Sequence, residues 1–314
     1  MPFQKKPNIC PICKQGKDFK FIRDFKKEEN KFSLYECSKC QIQFWLPLKN
    51  PGNEWYEESG GYKIRNIIKP KIYRGYHKKF LETHKDFPKN TKVLDLGCGT
   101  GEFINELKER GCLVWGVDFD RGAIKTAKEY FKLENIFAMN FEDFFKKENL
   151  PEFDIICFFE IIEHLDNPLA FIRSVKDLLK TNGKFFLSTP YRERMLPNLN
   201  NWDFPPNHLT RWNEKALANL FRVYNFEITD ISYIEQFKIL AESINGKFKS
   251  GFVNKSLNFS ENRKKFFILP KVVHCIGYLK YLLIGKIPAI FLWVLSKILK
   301  RKNGIMLIEL KNEK

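Results

Sequence analysis

The sequence VLDLGCGTGEF, residues 93–103, places three glycines at alternate positions directly after a run of apolar residues. A glycine-rich turn between a strand and a helix lets the backbone approach a ligand closely, because glycine has no side chain. The turn is not a P-loop, since no Gly-Lys-Ser/Thr sequence follows it. A dinucleotide fingerprint is disfavoured, because Glu102 stands where a third small residue would let helix and strand pack closely.

Strand-like and helix-like segments alternate from Lys92 onward. Alternation of this kind predicts an α/β fold, a doubly wound sheet of parallel strands joined by crossover helices, with ligands bound beyond the carboxyl ends of the strands. The predicted strands are KVLDLG, CLVWGVDFD, NIFAMN, FDIICFF and GKFFLSTP, and the predicted helices cover residues 101–110, Asp120 to Phe131 and Pro168 to Leu179.

The pattern hydrophobic-Asp-x-Gly-x-Gly-x-Gly resembles that of the class I S-adenosylmethionine (SAM)-dependent methyltransferases, and further motifs of that family follow in order over residues 91–234. The resemblance implies a seven-stranded Rossmann-like sheet. In such sheets the last strand is antiparallel and pairs after a short hairpin. FEITDISYIEQF and GIMLIELK match these two strands, but about 70 residues stand between them.

The same resemblance implies a SAM site at the glycine turn. Asp95 would lie near the ammonium group, Asp118 would accept both ribose hydroxyls, and Phe119 would border the adenine. Asn140 is expected to face the adenine amine and Glu160 to lie near the sulfonium. The full implied set of cofactor residues is Asp95, Gly97, Cys98, Gly99, Gly101, Asp118, Phe119, Asn140 and Glu160.

Two segments resemble the parts of the family that face the methyl acceptor. FFEIIEHLDNP resembles its E-x-x-E-H motif, and NHLTRWNEKAL resembles a His-containing segment of small-molecule and sugar methyltransferases. The catalytic candidates are therefore Glu163, His164 and His208. A histidine has an ordinary pKa suited to removing a proton from an acceptor. Both histidines also have a structural interpretation, as side chains that hydrogen-bond to backbone.

The formal net charge of +17 is typical of a protein with an anionic partner, either nucleic acid or a membrane surface, although compositional drift explains it equally well. Three functions remain open. The first is methylation of a small metabolite, glycan or lipid-linked acceptor. The second is methylation of RNA, and the third is a non-catalytic scaffold. The acceptor-side motifs favour the first, so nucleic acid is not the expected partner; the oligomeric state stays open.

Four of the eight cysteines form two C-x2-C pairs, Cys10 with Cys13 and Cys37 with Cys40, separated by 23 residues. Each pair offers two thiolates from one tight turn, and two pairs complete a tetrahedral Zn²⁺ site. With all four positions filled by sulfur, no position is open for metal catalysis. We therefore predict a structural zinc ion that holds a small strand-containing module together.

The segment between the two expected last strands is basic and apolar. Arg263 to Lys302 holds ten basic residues and no acidic one, and its apolar runs are shorter than the roughly 20 residues of a spanning helix. Together with Trp293, this predicts that residues 264–302 attach to the inner face of an anionic membrane without crossing it. The alternative is a cap over the acceptor pocket or a dimer interface.

These patterns divide the chain into five segments. The N-terminus lacks the apolar run of a signal peptide, and the remaining cysteines are scattered singly. Both features predict a cytoplasmic location, and the membrane-attachment hypothesis adds a peripheral position on the inner face of the membrane. The predicted segments are a zinc-ribbon-like module at 1–50, a helical linker at 51–90, the SAM-binding core at 91–235, a basic apolar helical insertion at 236–303 and the last strand at 304–314.

Overall fold

A computed structural model describes residues 2–58, 74–194, 203–234, 283, 286–299, 302 and 304–313. The chain forms two compact units. The first consists of Met1–Arg192, Phe204–Ile234 and Ile305–Lys314, and the second of Glu193–Asp203 and Glu235–Gly304.

The first unit contains both sheets. Its strands are β1 (Phe19–Lys27), β2 (Asn30–Cys37), β3 (Gln43–Leu46), β4 (Lys92–Leu96), β5 (Leu113–Asp118), β6 (Ile136–Ala138), β7 (Phe153–Phe159), β8 (Leu179–Pro190), β9 (Thr210–Arg211), β10 (Phe226–Ile234) and β11 (Ile305–Asn312). The helices of the first unit are α1 (Asn53–Glu58), α2 (Gly75–Thr83), α3 (Glu102–Glu109), α4 (Arg121–Phe131), α5 (Phe141–Phe145), α6 (Pro168–Leu178) and α7 (Glu214–Arg222).

The larger sheet has seven strands in the order β10-β11-β8-β7-β4-β5-β6. The five strands β6, β5, β4, β7 and β8 pair in parallel, while β11 pairs antiparallel with both β8 and β10. The predicted α/β class and the seven-stranded Rossmann-like sheet are thus confirmed.

Side-chain caps fix where the helices of this sheet begin. Asp120 accepts hydrogen bonds from the first-turn amides of α4, and Asn167 and Asn213 do the same for α6 and α7. Such caps satisfy backbone donors that have no partner within the helix. Pro168 is the first helical residue, and it has no backbone N–H that would need an acceptor. The predicted starts at Asp120 and Pro168 are therefore observed.

The strand after α6 begins earlier than predicted, at Leu179 rather than at Gly183. Leu179 pairs with Phe153 and Lys184 pairs with Ile155, so β8 carries extra residues between these two pairs. Asn182 takes up part of this bulge with a positive φ of 60°. The Thr-Asn-Gly sequence thus bends a strand instead of forming a separate turn.

The apolar run FDIICFF is buried on both faces of the sheet. Phe158 packs against Phe185 on one face at a ring distance of 5.6 Å, and Phe159 packs against Phe103 on the other at 5.3 Å. Successive side chains of a strand point to opposite faces. A parallel strand covered on both faces therefore has a nearly continuous hydrophobic sequence, which explains why β7 shows no alternation.

The smaller sheet joins the N-terminal module to the core. Its order is β1-β2-β3-β9, and β9 comes from the segment that follows His208. Gln43 pairs with Arg211 and Phe44 with Thr210. The last strand of the cysteine-containing sheet, β9, therefore comes from the range 91–235 that was predicted as the SAM-binding core.

The second unit is described in part. It contains the helix α8 (Ile287–Ile298). Among the described helices, none is long and apolar enough to cross a membrane. Most of the predicted attachment segment 264–302, the side chain of Trp293 and residues 59–73 of the predicted linker lie outside the described residues.

Candidate active site

The glycine turn follows β4 and is held by the neighbouring strand β5. The amides of Gly97 and Cys98 both donate to the carbonyl of Val117, at 2.7 and 3.1 Å. Gly99 has a positive φ of 55°, and a Cβ built on it would meet no atom within 4 Å. The backbone at Gly99 thus faces open space in a conformation that favours glycine, as close approach of a cofactor requires.

Asp118 lies at the end of β5, beside this turn. Its Oδ2 accepts a hydrogen bond from the Gly99 amide at 2.9 Å, and its Oδ1 accepts one from the Asp120 amide at 2.9 Å. Two backbone donors fix the orientation of the carboxylate. Each oxygen can accept a further hydrogen bond, so the predicted contact with two ribose hydroxyls fits the geometry.

Asp95 is buried at the end of β4. Burial raises the pKa of its carboxyl well above the usual range, and the negative charge of Asp118 raises it further. A cation placed beside the two carboxyls would lower that pKa again. The predicted place of Asp95 near the ammonium group of SAM agrees with this charge and stays a prediction.

The other predicted cofactor residues lie around the same strand ends. Cys98 is buried, and its sulfur lies 2.8 Å from where a Cβ on Gly116 would stand, so its thiol packs against β5. Asn140 caps α5 by accepting from the Asp143 amide at 2.8 Å. Glu160 has a positive φ of 57° and accepts from the Ser188 hydroxyl at 2.9 Å. Their roles toward the cofactor stay predictions.

The three catalytic candidates come together. Glu163 and His164 lie in a 3-10 helix, Ile162–His164, that follows β7, and the rings of His164 and His208 are 4.8 Å apart. Glu163 is 1% exposed; its Oε2 accepts from the Thr189 hydroxyl at 3.0 Å. The Glu163 carbonyl accepts from the Leu209 amide at 2.8 Å, which holds the His208 segment against the helix.

The hydrogen bonds of His164 set its tautomer. Its Nδ1 lies 2.6 Å from the carbonyl oxygen of Asn207. A carbonyl can only accept, so Nδ1 carries a proton, and in the neutral imidazole the lone pair is then on Nε2. The structural interpretation, a backbone-bound histidine, therefore leaves this residue able to act as a base.

Ligand atoms of Glu163, His164 and His208 all lie within 4.8 Å of one another. One carboxylate and two imidazoles are a ligand set that divalent transition metals accept. The cluster could thus hold such an ion as well as act as a proton acceptor.

Tyr56 of the predicted linker and Asn50, the last residue of the predicted zinc-ribbon-like module, contribute to this site and were missed by the sequence analysis. The Tyr56 ring lies 5.6 Å from Phe119 and 5.7 Å from His164, so it bridges the cofactor side and the acceptor side. Asn50 donates to the His164 carbonyl at 2.9 Å. The aromatic pair Trp55-Tyr56 was the available signal, since large aromatic side chains tend to be buried where they find a contact.

The four cysteines of the two C-x2-C pairs form a compact cluster. Cys10 and Cys40 sulfurs are 3.6 Å apart, those of Cys13 and Cys37 are 3.9 Å apart, and all four lie within 4.8 Å of one another. Tetrahedral zinc with Zn–S bonds of about 2.3 Å requires sulfurs roughly 3.8 Å apart. The cluster therefore fits Zn²⁺, and these residues would hold it.

This chain is similar in sequence to known methyltransferases. A family described as methyltransferase domain matches residues 69–231, more than half of the chain. Ubiquinone biosynthesis O-methyltransferases are similar, from Haemophilus ducreyi with 28% identity and from Glaesserella parasuis with 32%; the matches cover 44% and 43% of this chain. The chain spans 59% and 58% of the length of these two relatives.

Among solved structures, one chain from the complex of the Haloferax volcanii Trm112 methyltransferase activator with a methyltransferase is similar, with a TM-score of 0.51 and 13% identity. The match covers 85% of this chain and 99% of that one, and at this identity it shows the fold alone. The family match, the glycine turn and the strand order agree. The chain belongs to the methyltransferase-domain family, with the class I SAM-dependent fold.

Proposed function

We propose that this protein transfers the methyl group of SAM to an oxygen of a small-molecule or lipid-linked acceptor. The observation that carries the proposal is the position of Tyr56, whose ring contacts both Phe119 and His164. Because Tyr56 contacts both, the predicted cofactor residue Phe119 lies close to the Glu163–His164–His208 cluster. An acceptor bound beside the cluster would then lie next to the cofactor. The O-methyltransferases among the relatives support oxygen as the acceptor atom.

In the proposed mechanism the protein aligns the two reactants and excludes water. The cofactor supplies both the methyl group and its own leaving group. The backbone at Gly99 and the Asp118 carboxylate hold the cofactor, while His164 Nε2 accepts the proton of the acceptor hydroxyl. The Asn207 carbonyl keeps Nδ1 protonated and so keeps Nε2 basic.

The proposal is tested by incubating the protein with methyl-labelled SAM and fractionated extracts that contain small metabolites, lipids or RNA. Label is expected in a small-molecule or lipid product, with the methyl group on oxygen by NMR. Label found in RNA alone would favour the alternative of an RNA methyltransferase. Turnover with any of these fractions would dismiss the non-catalytic scaffold.

Replacement of Asp118 by alanine is expected to weaken SAM binding by about 10- to 150-fold, because hydrogen bonds to a charged group contribute roughly 1.5–3 kcal/mol. Calorimetry with S-adenosylhomocysteine measures the change. Asp120→Ala removes a neighbouring carboxylate that caps α4, and serves as the matched control, with affinity near that of the wild type. Equal binding by wild type and Asp118→Ala would contradict the assignment.

We further propose that α8 attaches the protein to an anionic membrane surface. Ile287, Ile290, Phe291, Val294 and Ile298 recur at helical spacing, and all are exposed, Phe291 by 66% and Ile298 by 70%. Residues three or four apart share one face of a helix. An exposed apolar face beside lysines and arginines is the pattern of an interfacial helix.

Flotation with liposomes rich in anionic lipid is expected to carry the wild-type protein upward. Phe291→Asp combined with Ile298→Asp should reduce vesicle binding more than tenfold, since burying each such side chain contributes about 1.5–3 kcal/mol. Val223→Asp, which changes an exposed apolar residue of the first unit, is the control and should still float. Wild-type protein that stays at the bottom of the gradient would refute membrane attachment.

A further inference from the structure

The smaller sheet has two different faces. Tyr35 and Phe44, which pair across β2 and β3, belong to the apolar core. The neighbouring residues Glu36, Gln43 and Arg211 pair across β2, β3 and β9 and therefore share the opposite face. Gln43 Nε2 donates to Glu36 Oε2 at 2.8 Å, and Arg211 Nη1 donates to Gln43 Oε1 at 3.0 Å.

Arg211 is a half-buried cation without a counter-ion among the described residues. Its Nη1 donates to the neutral amide of Gln43, and no carboxylate of the described residues forms an ion pair with it. Burial, and then the positive charges of Arg192 and Arg23, lower the pKa of the guanidinium to about 10. It is thus still charged at neutral pH, and buried charges are normally paired.

Two further arginines lie beside it. Arg192, whose side chain is 7% exposed, forms an ion pair with Glu36 at 3.3 Å. Arg23 lies over the ring of Phe204, 5.1 Å from its centre. Arg23, Arg192 and Arg211 are named here the arginine face. The positive charges of Arg192 and Arg23 both act on Arg211, so three cationic side chains converge at this face.

A second observation at the same face is the indole of Trp45. The side chain is fully buried, and its Nε1 has no hydrogen-bond partner among the described residues. Trp45 stands two residues from Gln43 on the same strand face, and its ring packs 5.9 Å from Phe204, the ring that Arg23 also covers. An unsatisfied buried donor costs about 1–3 kcal/mol, so an acceptor is expected here.

We propose that the arginine face binds a phosphate or diphosphate group of the methyl acceptor. The planar guanidinium matches phosphate oxygens with two parallel hydrogen bonds. Two of these arginines are close in sequence to the Glu163–His164–His208 cluster. Arg211 follows His208 by three residues, and Arg192 follows Thr189, whose hydroxyl donates to Glu163, by three. The inference rests on the proposed function for its choice of the acceptor as the source of the phosphate.

The test is calorimetric titration of the full-length, zinc-loaded protein with inorganic pyrophosphate at constant ionic strength. The wild type is expected to bind one pyrophosphate per chain. Arg211→Gln should weaken binding by about tenfold or more, because it removes a charged donor. Arg23→Gln should weaken it as well, because it removes a second positive charge of the same face. Lys128→Gln removes an exposed positive charge on α4 and should change affinity by less than about twofold.

SAM binding is measured on the same samples, and this separates the two proposals. All three variants should bind SAM as the wild type does, which also reports that each is folded. Absence of saturable pyrophosphate binding by the wild type would overturn the phosphate site while leaving the methyltransferase proposal intact. Equal losses in Arg211→Gln, Arg23→Gln and Lys128→Gln would overturn it too, since they would indicate general charge attraction. A nucleoside diphosphate sugar and a short prenyl diphosphate, added as competitors, distinguish a soluble from a lipid-linked source.

Discussion

Cys37→Ser is expected to lose the zinc ion and to lower methyl transfer far more than it lowers SAM affinity. The physical reason is the path from the metal to the active site. Cys37 ends β2, β2 pairs with β3, and the Trp45 amide donates to the Leu209 carbonyl at 2.9 Å. Structural zinc contributes about 10–16 kcal/mol to folding of small modules, so β3 without the metal should no longer hold the His208 segment.

Elemental analysis measures the zinc content of each variant, and about one zinc ion per wild-type chain is expected. Cys112→Ser is the matched control, because Cys112 is a buried thiol of the core that lies outside the cluster. It should keep both metal and turnover. A Cys37→Ser protein that retains its zinc, or one that loses metal yet keeps full turnover, would contradict the proposed path. SAM binding by the metal-free variant reports that the core is still folded.

The large sheet could be predicted from the sequence because its signals are local. The apolar run of β7, the glycines after β4 and the caps at Asp120 and Asn167 each lie within a few residues of the element that they determine. The position of Asp118 follows in the same way, since the end of a parallel strand meets the same edge of the sheet as the glycine turn. Local pattern and global fold agree throughout this region.

The active site was predictable only in part, because its remaining contacts join distant parts of the chain. Tyr56 reaches His164 across 108 residues of sequence, and β3 pairs with β9 across more than 160. A two-residue strand such as β9 has no periodicity of its own, so its pairing is set by tertiary packing. The sequence alone likewise offered no reason to expect Arg211 to be partly buried, because its burial depends on the pairing of β9 with β3 at Gln43.

One of the two variants His164→Ala and His208→Ala is expected to remove the general base. That variant should lower the rate of methyl transfer by about 10²- to 10⁴-fold, with little change in SAM affinity. The geometry favours His164 for that role, because the Asn207 carbonyl accepts its Nδ1–H, which makes Nε2 the ring nitrogen that can take up a proton. His84→Ala is the matched control. That histidine is paired with Glu309 at 3.3 Å, away from the cluster, and its removal should leave the rate of methyl transfer unchanged.

The two possible roles of the cluster differ in their response to chelation. If His164 accepts the proton directly, treatment with EDTA under conditions that leave the cysteine-bound zinc in place should not change turnover. If the cluster acts through a divalent cation, EDTA should abolish turnover, and added Mg²⁺, Mn²⁺ or Zn²⁺ should restore it. Loss of either histidine would then remove a ligand, so both single variants should fail together and metal would not rescue them. Wild-type turnover in both variants would refute both roles, because neither proton transfer nor metal binding survives removal of the imidazoles.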